Sequence, residues 1–191
     1  MSKLVRSFIA LYPDLHAREH IGEFIAGMRE QNSSCRWEQP EKVHITLKFL
    51  GDVLPETLEE IAADLRREIL PEGEILARLD RIGAFPNMRR PRIIWLGFSE
   101  AVPRVLSLHR LTDEVCTRHG LLRDEQRFTP HCTVGRVRRG ADTDGLENEL
   151  TACSFQPATV HFSAVRIMES TLTSRGAIHT ERARISLLPG N

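Results

Sequence analysis

Two short segments of the chain repeat one another and constrain its fold more than any other feature. Residues 44–47 read His-Ile-Thr-Leu, and residues 131–134 read His-Cys-Thr-Val. Successive side chains of an extended strand point to opposite faces, so each segment presents its histidine and threonine together and buries the apolar residues. We therefore predict two strands, and a fold that brings the two histidine–threonine pairs face to face.

The surroundings of the two segments carry more weight than the match itself. The chain has 8 histidines, and at its composition about 0.5 His-x-Thr matches are expected by chance. Each copy, however, lies in a strand-like run that is approached through a proline, Pro40 before the first and Pro130 before the second. We take four side chains as the candidate site: His44, Thr46, His131 and Thr133.

Strict alternation assigns a face to the residues that follow each pair. It buries Phe49 and turns Lys48 toward the histidine face, where it lies near a phosphate or, as we favour, on the solvated rim. It places Arg136 on the face opposite the second histidine. Arg136 then reaches the site only if Gly135 bends or bulges the strand.

Several other side chains allow a structural and a functional interpretation. Phe128 stacks on a nucleobase or fills the core, and the core is favoured for an isolated phenylalanine. Phe85 and Trp95 are assigned to the core. The arginines at positions 89, 90 and 92 form either a charged hairpin tip or a contact to an oligonucleotide backbone.

Composition excludes several classes of protein. The formal net charge is zero, whereas proteins that coat long nucleic acids are usually basic. The four cysteines form no C-x-x-C pair, which argues against a zinc knuckle or a redox motif and fits a reducing compartment. The apolar run at 8–12 is too short for a signal peptide or a membrane span. We expect a cytoplasmic protein without a membrane partner.

The order of predicted elements indicates the fold class. Strands are predicted at 4–12, 43–50, 75–85, 92–98, 160–168 and 177–187 and at the second motif, and helices after Asp14, from Pro55 and at 102–119. Strands that directly follow strands favour antiparallel pairing. We predict an α+β fold in which residues 1–191 form a single domain of two similar lobes with one motif strand in each.

Facing histidine–threonine pairs suit displacement at phosphorus. The pKa of histidine lies near neutrality, so one imidazole can take a proton from water while the other gives a proton to the departing oxygen. Threonine hydroxyls can donate hydrogen bonds to phosphate oxygens. The sequence offers no convincing set of metal ligands, and we predict neither a metal nor a cofactor.

The segments 44–51 and 128–136, with Arg6 to Leu11 and Gly83 to Gly97 in the same order, resemble the 2H phosphoesterase superfamily. More narrowly, they resemble the RNA 2′,3′-cyclic phosphodiesterases, also called 2′-5′ RNA ligase-like proteins. This resemblance implies a bilobal fold with two pseudo-symmetric antiparallel sheets around a central cleft and helices on the outside. It also implies metal-independent hydrolysis of a terminal 2′,3′-cyclic phosphate of RNA to a 2′-phosphate.

The resemblance also implies roles for individual residues. His44 corresponds to the general acid and His131 to the general base. Thr46 and Thr133 correspond to the residues that hold the phosphate. Arg136, with Phe128 nearby, corresponds to the residue that binds the substrate end. The chain departs from the family at Cys132, where an aliphatic residue is common, and at His179, where a tyrosine is common; we predict that His179 is peripheral.

Alternative functions stay open at this point. The same cleft can run the reaction in reverse as a 2′-5′ RNA ligase. Other possibilities are a module that binds RNA ends or nucleotides with little turnover, and a phosphodiesterase for a small cyclic nucleotide. The partner expected in each case is RNA with a cyclic phosphate end or a nucleotide, without an obligate protein partner.

Overall fold

The computed structural model describes residues 3–69, 73–153, 155–174 and 176–189. Over these residues the strands are β1 (Val5–Leu11), β2 (Cys35–Trp37), β3 (Ile45–Val53), β4 (Ile75–Leu79), β5 (Arg81–Phe85), β6 (Ile93–Gly97), β7 (His131–Val137), β8 (Ala158–Phe162), β9 (Ala164–Thr173) and β10 (Gly176–Ser186). The helices are α1 (Leu15–Gln31), α2 (Pro55–Ile69), α3 (Pro103–Arg118) and α4 (Leu146–Ala152). The predicted α+β class with antiparallel strands is confirmed.

The main sheet has two halves, one in each lobe, that are joined, in the part of the chain described, through a single residue pair. Its strand order is β10-β9-β1-β3-β7-β6-β5, and β2 also pairs with β7. Between the motif strands β3 and β7 only Ile45 and Cys132 are paired, in antiparallel register, within the described residues. The strands diverge from that pair, so a cleft opens between the lobe of β3 and the lobe of β7.

Two predicted strands are each two strands in the structure. The segment 75–85 divides at Asp80, whose carboxylate accepts hydrogen bonds from the backbone N and Oγ of Ser99 at 2.8 and 2.7 Å. The segment 160–168 divides at Ser163, whose carbonyl oxygen accepts from the backbone N of Leu187 at 2.9 Å. The first halves, β4 and β8, pair with each other in a separate two-stranded sheet. A continuous apolar run does not show where a chain turns from one sheet into another.

The core lies between the main sheet and the helices. The carboxylate of Asp14 accepts a hydrogen bond from the backbone N of Ala17 at 3.0 Å and caps the start of α1, as the sequence predicts. The buried helix faces include Ile21, Phe24, Ile25 and Met28 on α1, Leu58, Ile61, Leu65 and Ile69 on α2, and Val105, Leu108 and Val115 on α3. The other face of the sheet is therefore left free to line the cleft.

Candidate active site

Both histidine–threonine pairs line one cleft of about 1480 Å³. The antiparallel pairing of Ile45 with Cys132 fixes their arrangement. It sets Thr46 across from His131 and His44 across from Thr133, with all four side chains lining the cleft. The structure thus brings together the four residues that the two motifs single out.

The two histidines are held in the same way. Nδ1 of His44 donates a hydrogen bond to the carbonyl oxygen of Lys42 at 2.6 Å, and Nδ1 of His131 donates to that of Thr129 at 2.7 Å. A carbonyl oxygen only accepts, so each Nδ1 carries a hydrogen. Each Nε2 is therefore the ring nitrogen that can gain or lose a proton in the cleft.

His44 lies in an aromatic environment. Its ring stacks on Phe8 with centroids 4.9 Å apart and lies 5.1 Å from the ring of Tyr12. Burial lowers the pKa of His44 to about 4, against the opposing effect of the Lys42 carbonyl, and the positive charges of other cleft residues add to the lowering. At neutral pH this imidazole is therefore neutral.

His131 is held by aromatic side chains of the other lobe. Phe85 meets its ring edge-on with centroids 4.9 Å apart, and Trp95 lies 6.2 Å away. Trp95 packs over Gly83, where a Cβ atom would come within 2.2 Å of the indole Cζ2. Burial also lowers the pKa of His131. Trp95 is buried as predicted, but the assignment of Phe85 to the core is wrong, because this side chain lines the cleft.

A β-bulge follows the first motif and changes the alternation of β3. Ala10 pairs with Thr46 and Ile9 pairs with Lys48, so Leu47 is an extra residue. Beyond it Lys48 is 2 % exposed and Phe49 is 71 % exposed. The predicted burial of Phe49 and the predicted solvated position of Lys48 are both wrong, because the bulge exchanges the two faces.

Lys48 instead anchors the loop at 121–130. Its Nζ donates to Asp113 Oδ1 and to the carbonyl oxygen of Leu122, each at 2.7 Å, and lies 2.8 Å from Asp124 Oδ1. Burial lowers the pKa of Lys48, but the hydrogen bonds to the two carboxylates outweigh it and leave that pKa raised. A charged lysine therefore ties the loop to the sheet beside the cleft.

A second bulge follows the second motif. Thr133 pairs with Trp95 and Gly135 with Ile94, so the residue between them is extra. Arg136 consequently lines the cleft on the face of His131, and its Nε lies 3.7 Å from Glu38 Oε1. This is the bulge that the sequence requires if Arg136 is to reach the site.

Phe128 forms one wall of the cleft together with a residue that the sequence did not single out. Its ring stacks in parallel on His109 of α3, with centroids 4.0 Å apart and 14° between the planes. Nδ1 of His109 donates a hydrogen bond at 2.8 Å to the carbonyl oxygen of Leu47, the extra residue of the first bulge. Phe128 is half-buried and reaches both the core and the cleft.

His179 is part of the site, and its predicted peripheral position is wrong. Its ring lies 5.6 Å from that of His44 and 4.9 Å from that of Phe8, edge-on to both. Tyr12 Oη lies 3.5 Å from its Nδ1, and burial lowers the pKa of His179. His179 pairs with Ser170 on β9, which in turn pairs with β1, the strand of Phe8, and this long-range pairing places it there.

Cys132 and the arginine-rich turn, which the sequence also singled out, do not line the cleft. Cys132 is fully buried, and burial raises the pKa of its thiol to about 12, so it is neither a thiolate nor exposed to oxidants. The arginines at 89, 90 and 92 are exposed at the β5–β6 hairpin and do not line the cleft.

The cleft concentrates positive charge in a chain whose net charge is zero. Its lining includes three acidic residues, Glu38, Asp124 and Glu125, and seven basic ones, Arg6, Arg36, Lys42, Lys48, Arg123, Arg127 and Arg136. Such a cleft attracts an anionic ligand. Within the described ranges, histidine, cysteine and acidic side chains form no group of three that could hold a metal ion.

The fold matches that of a protein of known structure. The structure of E. coli LigT in its apo form covers 98 % of this chain and 99 % of LigT with a TM-score of 0.76, at 21 % sequence identity. This similarity establishes the class of fold. The family model described as LigT-like phosphoesterase matches residues 12–95.

Curated relatives define the family more closely. A protein of Thermotoga maritima named RNA 2′,3′-cyclic phosphodiesterase is 30 % identical over 175 residues, which are 92 % of this chain and 91 % of that protein. A protein of Methanothermobacter thermautotrophicus with the same name is 30 % identical over 179 residues, covering 93 % and 96 %. The chain therefore belongs to the LigT-like phosphoesterase family. Within the part of the chain that the structure describes, no helix has the length and apolar character needed to cross a membrane.

Proposed function

We propose that this enzyme hydrolyses terminal 2′,3′-cyclic phosphodiesters of RNA to 2′-phosphomonoesters without a metal ion. The observation that carries the proposal is the pair of imidazoles that His44 and His131 bring to one basic cleft, each with Nδ1 bound to a carbonyl oxygen. The names of the curated relatives support RNA as the substrate. Because each lobe supplies one pair, the two lobes act as a single catalytic unit.

The proposed reaction is an in-line displacement between the two pairs. The hydroxyls of Thr46 and Thr133 donate hydrogen bonds to the non-bridging oxygens of the cyclic phosphate. Water attacks phosphorus while Nε2 of His131 takes its proton. The bond from phosphorus to the 3′-oxygen breaks, and protonated His44 gives that oxygen its proton. The products are a 3′-hydroxyl and a 2′-phosphate.

Substrate binding prepares His44 for this role. Burial holds the pKa of this imidazole at about 4. A bound phosphodiester brings a negative charge close to the ring, and an adjacent opposite charge favours the charged form. The pKa of His44 therefore rises in the complex, and the proton is taken up where the leaving oxygen needs it.

Arg136 and Phe128 hold the substrate on either side of the reacting centre. Both line the cleft. Arg136 supplies a guanidinium for a phosphate of the RNA end, and the ring of Phe128 supplies a stacking surface for the terminal base. The parallel stack on His109 fixes the plane of that surface.

The size of the cleft favours RNA over a small cyclic nucleotide. Its volume of about 1480 Å³ exceeds the range of about 300–1,000 Å³ that is usual for small-molecule sites. The reverse reaction, 2′-5′ joining of RNA ends, uses the same groups by microscopic reversibility and is proposed as a secondary activity.

The test is turnover of a short RNA that ends in a 2′,3′-cyclic phosphate, with the product identified by ³¹P NMR. We expect a 2′-phosphomonoester as the only product, at a rate that chelators do not change. A 3′-phosphomonoester, or inhibition by EDTA, contradicts the mechanism. Binding of the RNA without any product supports the alternative of a binding module.

A further inference from the structure

Phe49 is an unexplained apolar surface at the rim of the cleft. Its side chain is 71 % exposed, although burying a phenylalanine side chain favours folding. Leu122, at 89 % exposure, lines the same cleft. Single exposed apolar residues are ordinary, but several that line one binding cleft indicate a ligand surface.

The position of Phe49 follows from the same construction that places Arg136. Each residue lies five positions after a motif histidine, and each is turned into the cleft by a bulge directly after the motif threonine. Arg136 follows its motif along β7 and Phe49 follows its motif along β3, and these two strands run in opposite directions. The two lobes therefore offer a cationic contact at one end of the cleft and an aromatic contact at the other.

Basic residues accompany Phe49. Arg6 precedes the bulged part of β1, and Arg123 and Arg127 belong to the loop at 121–130; all three side chains are exposed and line the cleft. An aromatic surface with arginines beside it is the combination that binds single-stranded RNA, because bases stack on the ring and phosphates meet the guanidinium groups. The charge favours a nucleic-acid strand over an apolar peptide.

The surface is held in place before any ligand binds. Lys48, next to Phe49, ties Leu122 and Asp124 to the sheet. A second cavity of about 530 Å³ adjoins this end of the cleft, and Phe49, Leu122 and Arg123 line both. A strand that leaves the reacting centre over Phe49 therefore finds further space beyond it.

We propose that Phe49 and Leu122 form a stacking subsite for the nucleotide that precedes the cyclic-phosphate end of an RNA strand, with Arg123 near its phosphate. This inference rests on the proposed function and adds to it a reason for preferring oligonucleotides over mononucleotides. Removing a stacking aromatic costs about tenfold in affinity for the stacked strand.

The experiment compares kcat/KM for a 2′,3′-cyclic mononucleotide and for a tetranucleotide with the same end. We expect the wild-type enzyme to prefer the tetranucleotide, and Phe49→Ala to reduce that preference about tenfold through KM. Phe49→Trp should keep the preference. Leu76, which is 70 % exposed on β4 and lies outside the cleft, provides the matched control, and Leu76→Ala should change neither rate.

Two results overturn the subsite. One is an equal effect of Phe49→Ala on both substrates. The other is self-association of the protein that depends on Phe49, with an unchanged preference, which assigns the surface to a second copy of the chain. If the wild-type enzyme turns over neither substrate, the proposed function fails; anisotropy of a labelled tetranucleotide with a 2′-phosphate then tests the subsite, which requires weaker binding by Phe49→Ala.

Discussion

The ring of His179 meets the ring of His44 edge-on, with their centroids 5.6 Å apart. The charge on His179 is one of the influences that lower the pKa of His44, after burial, which is the largest. Replacing His179 with glutamine removes that charge at similar volume, so we expect the pKa of His44 to rise in His179→Gln. NMR titration of the His44 ring in wild-type and variant protein measures this directly. An unchanged or lower pKa contradicts the electrostatic coupling.

The burial of His44 makes stability depend on pH. Its folded-state pKa of about 4 lies below the ordinary 6.5, so protons bind more tightly to the unfolded chain. The contribution of neutral His44 to the free energy of unfolding is fully present above pH 6.5. It is lost as the pH falls toward 4, and the loss reaches about 3 kcal/mol. Urea unfolding from pH 7 to pH 4 should show a steeper loss for wild-type protein than for His44→Phe. Parallel curves would argue against this account.

These predictions depend on features that the sequence showed only in part. The motif pairs were predictable, because alternation within one short strand decides which side chains share a face. Alternation failed two residues later at Lys48 and Phe49, because a bulge depends on the neighbouring strand and not on local sequence. The position of His179 was missed for a similar reason, since the pairing of β10 with β9 and of β9 with β1, and not the local sequence, brings it beside His44.

The fold was predictable to a similar depth. The order of helices and strands follows from apolar periodicity and from breakers such as Asp14. The division of 75–85 at Asp80 cannot be predicted in this way, because both halves are apolar and tertiary contacts determine which sheet each half joins. The position of Phe85 could not be predicted for the same reason. An aromatic residue is expected in the core, and only the tertiary contact with His131 places it in the cleft.

Lys48 should contribute to both stability and the shape of the site. Lys48→Met leaves the carboxylates of Asp113 and Asp124 without their cation, and breaking a buried pair in this way costs about 3 kcal/mol. We expect that loss in chemical denaturation, together with faster proteolysis within the loop at 121–130. The double variant Lys48→Met with Asp113→Asn should recover part of the loss. A single variant as stable as wild type would show that the network contributes little.

Gly83 should be required for the position of His131. A methyl group there would lie 2.2 Å from Trp95 Cζ2, so Gly83→Ala must displace the indole that packs near the histidine. We expect a destabilisation of about 1–3 kcal/mol and a lower kcat.

Gly27 provides the matched control for this substitution. It lies on α1 with nothing within 4 Å of an added Cβ atom. Alanine there should raise stability by up to about 1 kcal/mol, because it favours helix. Equal effects of the two substitutions on thermal unfolding would show that the contact with Trp95 is unimportant.

The most direct test of the two-histidine mechanism compares His44→Ala and His131→Ala on two phosphodiesters. One is the RNA with a 2′,3′-cyclic end, and the other carries a p-nitrophenolate leaving group that departs without a proton. On the RNA both variants should lose about 10²–10⁴-fold in kcat. On the activated diester His44→Ala should recover most of its rate, because no acid is needed, whereas His131→Ala should stay slow. Undiminished turnover of the RNA by either variant would contradict the account.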